Sequence, residues 1–218
     1  MVRQIGYELM ALAVMAAPAL AHPHVVVGVT AEVVLDAAGK VTGLRQHWHF
    51  DKGYTDSALE DMDTNHDGTF SAEELQPLTA ENMKSLKDYD YFTVIRQKGE
   101  AVAILDPADA EQTWAKGLLS LHFTLPLAKP LDPKDGEVVA KVYDPEFFIS
   151  FTLPEREGAS AKGTLPAGCT LSVKPVPTDA ELDSTRAMLA TKGVDWQPEN
   201  NEDFGALFAQ PISLSCAS

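Results

Sequence analysis

A chain of 218 residues with 32 acidic against 17 basic side chains carries a formal charge of −15. That balance argues against nucleic acid and anionic membrane surfaces as partners and suits a secreted protein with an affinity for cations. The length supports one good core, as one domain or two small ones.

The first residues read as a secretory signal. Arg3 is followed by a nearly unbroken apolar run over residues 9–20 and by Ala19-Leu20-Ala21, an A-x-A cleavage site. The run is too short to span a bilayer as a helix, and no cysteine follows the cleavage site to carry a lipid. The expectation is a signal peptide over 1–21 and a single periplasmic domain over 22–218, beginning at His22 and not inserted in the membrane. Two cysteines, Cys169 and Cys216, would then meet an oxidising compartment. They are predicted to form a disulfide tying the tail to the body, and with no C-x-x-C spacing a redox role is not expected.

Residues 25–35 are rich in β-branched side chains with apolar residues at odd positions, and 41–50 return as a second strand after a turn over 36–40. On the return strand Leu44, Trp48 and Phe50 share one face while Arg45, His47, His49 and Asp51 share the other. A short helix over about 55–62 and a longer one over about 71–86 flank an acidic loop. A hairpin is predicted over 91–96 and 101–105. Residues 118–125 alternate, with Leu119, Leu121, Phe123 and Leu125 on one side and His122 on the other. A Pro-rich turn follows over 126–133, then strands over 137–143 and 146–153 broken by Asp144-Pro145, a polar loop over 155–168 and a strand over 169–173. A helix capped by Thr178 runs to about 192, and a last strand covers 208–216. Many short strands with few helices predict an α+β fold of β-sandwich-like antiparallel sheets. A helix–loop–helix is inserted over about 55–87, and a late helix follows.

The loop from Asp63 to Glu74, D-T-N-H-D-G-T-F-S-A-E-E, fits the twelve-residue EF-hand pattern at every diagnostic position. Asp63, Asn65 and Asp67 offer side-chain oxygens, Thr69 a backbone carbonyl, Ser71 a hydroxyl directly or through water, and Glu74 a bidentate carboxylate. Gly68 sits where the turn needs positive φ, and Phe70 anchors the loop to the core. The expectation is calcium; the alternative is an ordinary acidic turn.

The histidines are unevenly placed. His22 and His24 flank a proline at the expected mature terminus. His47 and His49 form H-x-H with side chains about 7 Å apart on one strand face, and His122 lies on the polar face of another strand. His66 is at a loop position that points to solvent and is left out. Imidazoles with a carboxylate such as Asp51 or Asp144 suit a transition metal, zinc foremost. An ordinary polar sheet face is the alternative.

The start H-P-H-V, Trp48-x-Phe50-Asp51, the acidic loop, Asp90-Tyr91-Phe92, H-F-T-L-P-L from His122 and Y-D-P-E-F-F-I-S-F from Tyr143 together resemble an uncharacterised, domain-of-unknown-function periplasmic family. Its members carry labels such as ABC-type transport system periplasmic component, and they are often encoded beside NicO-like nickel/cobalt/zinc permeases. The resemblance spans 22–216. It implies a metal-handling partner of an inner-membrane permease, with His22, His24 and Asp144 as metal contacts.

The expected function is therefore a periplasmic accessory protein that buffers or delivers a transition metal, zinc before nickel or cobalt, with a structural calcium. The ligand pool is His22, His24, His47, His49, His122 and Asp144. A copper protein with an N-terminal histidine chelate is a second reading, and a calcium-stabilised interaction module without transition metal a third. No G-x-S-x-G, H-E-x-x-H or nucleophile beside a base is present, so no enzyme is expected.

Overall fold

A computed structural model describes Pro23 and residues 25–176, 180–192, 196 and 203–217, the Glu181 side chain excepted. The expected signal segment, His22, His24 and the Thr178 cap lie outside the described residues.

Two sheets enclose the core. In the larger, β1 (Val25–Leu35) and β2 (Val41–Phe50) form the expected hairpin, with β6 (Leu118–Leu131) on the far side of β2 and the edge strand β5 (Glu111–Ala115) beyond it. The other side of β1 is shared by two short parallel partners, β8 (Ile149–Thr152) and β9 (Ala159–Lys162). The smaller sheet is antiparallel throughout, in the order β10 (Cys169–Val173), β11 (Ile212–Cys216), β7 (Val138–Val142), β3 (Thr93–Gln97) and β4 (Glu100–Ala101). The fold is α+β with two antiparallel-rich sheets, as the strand pattern implied.

Alternation decides which face goes inward. Val27, Val29, Ala31, Val33, Leu44, Trp48, Leu119, Leu121, Phe123 and Leu125 are all buried, and they meet Ile95, Val138, Ala140, Val142, Ile212 and Leu214 of the smaller sheet. A polar residue, Gln46, is buried with them. Gln46 is 0% exposed, accepts from Trp48 Nε1 at 2.9 Å and donates to Thr93 Oγ1 at 2.8 Å, so its amide bridges the two sheets. Satisfied on both ends, it avoids the penalty of a buried unpaired amide.

Two helices pack against the larger sheet, the first on β6 and the second on β5. Helix α1 (Lys52–Ala58) starts at Asp51, whose Oδ1 accepts from Tyr54 N at 2.9 Å while Oδ2 accepts from Val26 N at 2.9 Å. One carboxylate thus fixes the start of β1 against the helix. Helix α2 (Ala72–Lys87) opens with a capping box between Ser71 and Glu74, and Thr79 on it lies 3.2 Å from the Gln112 side-chain oxygen of β5. Helix α3 (Ala180–Leu189) and the short α4 (Phe204–Phe208) follow late in the chain. Gly205 has no room for a side chain, because a Cβ there would lie 1.8 Å from Asp144 O. A disulfide joins Cys169 and Cys216, which face each other across β10 and β11.

Several boundaries differ from the sequence expectation. The first helix begins at Lys52 rather than 55 because Asp51 caps it. The segment 126–131 is strand, not turn: Pro126 and Pro130 lack amides, but Pro126 O accepts from Leu105 N, Ala128 N donates to Ala103 O, and Ile104 bridges Leu127. Strand β8 starts only at Ile149, because the amides before it turn inward to Asp144. β9 occupies part of the expected 155–168 loop, β5 had no sequence counterpart, and the last strand starts at Ile212 after α4.

Candidate metal centres

The acidic loop is organised by its own candidate ligands. Asp63 Oδ1 and Oδ2 accept from the amides of Asp67 and Gly68 at 3.1 and 2.9 Å, and Asn65 Oδ1 from Asp67 N at 2.8 Å. Asp67 Oδ1 takes the amide and hydroxyl of Thr69 at 2.8 and 2.7 Å. Glu74 reaches back across the loop: Oε1 accepts from Thr64 N and Oγ1, and Oε2 from Ser71 N and Oγ, at 2.9 to 3.0 Å. Gly68 adopts φ +78 with nothing near its absent Cβ, and His66 takes φ +58. The Ser71 amide, then the Thr64 and Ser71 hydroxyls, hold the Glu74 carboxyl down at about 2, so it is ionised. Carboxylates, an amide carbonyl and hydroxyls are the hard oxygens calcium takes, and Asp63, Asn65, Asp67 and Glu74 all gather on this one loop.

The second cluster lies on the outward face of the larger sheet. His47 is directly opposite His122 in the β2–β6 register, and Glu111 is opposite His122 in the β5–β6 register. The two rings touch: His47 Nδ1 and His122 Nδ1 are 2.8 Å apart. Each ring also has an outer partner. His122 Nε2 is 3.0 Å from Thr113 Oγ1, and His47 Nε2 is 3.6 Å from Glu32 Oε2. His49 points the same way but bonds through Nδ1 to Ser120 Oγ at 2.9 Å, its ring 6.4 Å from that of His122. Gly28, opposite His49, leaves the sheet face open beside it.

The surroundings are acidic with one cation. Arg45 lies 3.3 Å from Asp109, 3.9 Å from Glu32 and 4.0 Å from Glu111. Burial pushes the His122 pKa below the ordinary imidazole value; His47, His49 and Arg45 push the same way and Glu111 opposes. The ring is therefore neutral at neutral pH, the state in which imidazole binds a metal. Two imidazole nitrogens on one tetrahedral zinc, each bonded at about 2.0–2.1 Å, lie about 3.3 Å apart, so the pair needs to open by only about half an ångström.

Among the described residues, no set of three or more His, Cys, Asp and Glu side chains converges to hold a metal ion. The structure brings His47 and His122 together, with His49 beside them. It gives Asp144 a different task. This residue is 6% exposed, with Oδ1 accepting from Glu146 N and Oδ2 from the Phe148 and Ile149 amides, each at 3.0 Å. Buried and turned onto three amides of its own segment, Asp144 organises the turn before β8. Asp51 is likewise a cap: burial pushes its carboxyl up, but the Val26, Tyr54 and Gly53 amides outweigh this and hold it low. His22 and His24 lie outside the described residues. Sequence reading missed Glu32, Glu111 and Thr113. Only the strand register shows that they face the histidines.

No helix among the described residues is long and apolar enough to cross a membrane. An uncharacterised 15.5 kDa protein encoded in the trpE 3′ region of Spirochaeta aurantia is 34% identical over 104 residues, covering 48% of this chain and 74% of the relative. A family model described as a protein of unknown function, DUF1007, matches residues 8–216, so the chain belongs to the DUF1007 family.

Proposed function

We propose that this is a periplasmic accessory protein that holds a transition metal, zinc foremost and nickel or cobalt next, for a cognate NicO-like inner-membrane permease. The observation that carries the reading is the 2.8 Å approach of His47 Nδ1 to His122 Nδ1 on an open sheet face. Imidazole nitrogens suit borderline metals better than calcium or magnesium. Charge supports a cation as cargo: Glu32, Asp109 and Glu111 outnumber Arg45 around the pair. The remaining coordination falls to His49, Glu32 or Glu111 on the same face; His22 and His24, in the ligand pool by sequence, lie outside the described residues. Calcium in the 63–74 loop, held by Asp63, Asn65, Asp67, Thr69, Ser71 and Glu74, is a structural ion in this reading. The role is binding rather than catalysis, and the disulfide suits the oxidising periplasm.

The test is elemental analysis of protein purified without chelators or a tag, beside zinc titration of wild type and of His47→Ala/His122→Ala. Near-stoichiometric zinc lost in the double variant, with calcium retained, is the expected result. Copper in place of zinc would reassign the cargo. Calcium alone, with no transition metal taken up on addition, would leave the histidines as an ordinary polar face and end the delivery reading.

A further inference from the structure

A groove of about 310 Å³ runs between α2 and the segment that leads into β5. Ala72, Ala80 and Met83 line its helical side and Ala108 and Ala110 the other, while Thr79 and Gln112 meet across it. The alanines keep both walls low, which leaves room for a peptide backbone to approach. Gln112 is 3% exposed, yet its Nε2 has no partner, and among the described residues it is the single buried side-chain polar atom in that position. Its Oε1 is held little better. Thr79 has one hydroxyl hydrogen, and Leu75 O at 3.0 Å lies nearer to it than Gln112 Oε1 at 3.2 Å. An unmatched buried amide costs stability that a leucine of similar size would not. The contrast is with Gln46, the buried amide whose two ends are both engaged.

An open sheet edge adjoins the groove. Strand β5 pairs with β6 alone, and among the described residues no other group bonds its main chain. In an antiparallel pair every second residue turns its N–H and C=O away from the partner strand, so β5 carries a row of unpaired main-chain groups beside α2. A strand edge flanked by a helix is an arrangement that takes up an extended peptide as one more strand. Main-chain bonds then supply affinity and the pocket beside them supplies choice.

Charge narrows the occupant. Glu111 is in the lining, no Lys or Arg is among the described lining residues, and the chain as a whole carries −15. A field of that sign draws cationic segments and repels acidic ones. We propose that this groove binds an extended, basic peptide segment of a partner protein, which adds to the outer edge of β5 and sets a hydrogen-bond acceptor against Gln112 Nε2. The amide left unmatched in the free protein is matched in the complex, so Gln112 serves binding at the expense of the core.

The experiment selects short random peptides from a displayed library on the full chain, then measures the recovered peptides on wild type, Gln112→Leu and Ala80→Trp. Ala80 is exposed on α2, so the indole fills the groove without entering the core. The peptides should be rich in Lys and Arg and should slow amide exchange at alternate residues of β5. Affinity should fall about 3–10-fold in Gln112→Leu and be lost in Ala80→Trp. The urea midpoint of Gln112→Leu should hold or rise, because leucine removes the unmatched amide. A library that yields no binder, peptides that bind Ala80→Trp as well as wild type, or unchanged exchange at β5 overturns the groove as a docking site. Undiminished affinity in Gln112→Leu, or a fall in its urea midpoint, overturns the role given to the amide.

Discussion

Breaking the Cys169–Cys216 bond is the perturbation whose size follows most directly from the chain. The bond closes a loop with a sequence separation of 47 residues, containing α3, α4 and β11. In the chain-entropy treatment a loop of that length removes about 14 cal/mol/K from the unfolded ensemble, or about 4 kcal/mol at 25 °C. The native side changes little, because β10 and β11 keep their antiparallel pairing from Cys169↔Cys216 to Val173↔Ile212 without the cross-link. A Cys169→Ser/Cys216→Ser variant should therefore fold, with most of the loss coming from the unfolded state. Urea unfolding followed by fluorescence of Trp48, buried beside Phe123 and Phe151, reads the difference. With a slope of about 2–3 kcal/mol/M, the midpoint should fall by about 1.3–2 M. Wild type in reductant should match the variant. A loss below about 1 kcal/mol would refute the reasoning, since the 47-residue loop would then have little freedom to lose.

Three further perturbations test the framework. Gly205→Ala places a methyl against Asp144 O and the Tyr143 ring, and should cost about 1–3 kcal/mol or more, measured by thermal unfolding. Asp51→Ala strips the acceptor from both Tyr54 N and Val26 N; a loss of about 1–3 kcal/mol is expected, together with faster amide exchange at those two residues. Alkaline pH should destabilise the fold through Tyr91, whose pKa burial and its bond to Asp106 push up to about 12. A raised folded pKa means its contribution is full below about 10 and is lost as pH rises from there to about 12, because the unfolded chain ionises first. Tyr143, also pushed up to about 12 by burial and Asp203, adds to the same window. Urea midpoints across pH 8–12 should fall less steeply in Tyr91→Phe.

The hairpin β1–β2, the inner faces of β2 and β6, the long helix beginning near Ser71 and the disulfide were all legible in the sequence. Each rests on a strong local signal: period-2 alternation, the patterned acidic loop that leads into the helix, or a single pair of cysteines. The hidden parts depend on distant partners. Glu111–Ala115 has little strand patterning of its own; it is made a strand by β6 on one side and α2 behind it. Ala159–Lys162 is short and polar, and it pairs because β1 has an open stretch beyond β8. Gln46 alternates with Leu44 and Trp48 on the inward face, but that its amide bridges to Thr93 of the other sheet depends on a partner 47 residues away. Asp144 and Asp51 read in the sequence as carboxylates able to complete or orient a metal site; the backbone amides that bond their oxygens come from the fold and were not visible there.

The histidine pair illustrates why register carries more than motif. H-x-H on β2 names two candidates, but adjacent outward residues on one strand are about 7 Å apart and cannot be in direct contact. What creates the contact is β6 lying antiparallel so that His122 falls opposite His47 and not opposite His49, which meets Ser120 instead. A slip of one residue would turn His122 into the core and bring Leu121 or Phe123 onto the face. The apolar run Leu119, Leu121, Phe123 and Leu125, fully buried, forbids that slip. The core therefore fixes the pairing of the two imidazoles: the residues that stabilise the sandwich are the ones that hold His47 and His122 at bonding distance.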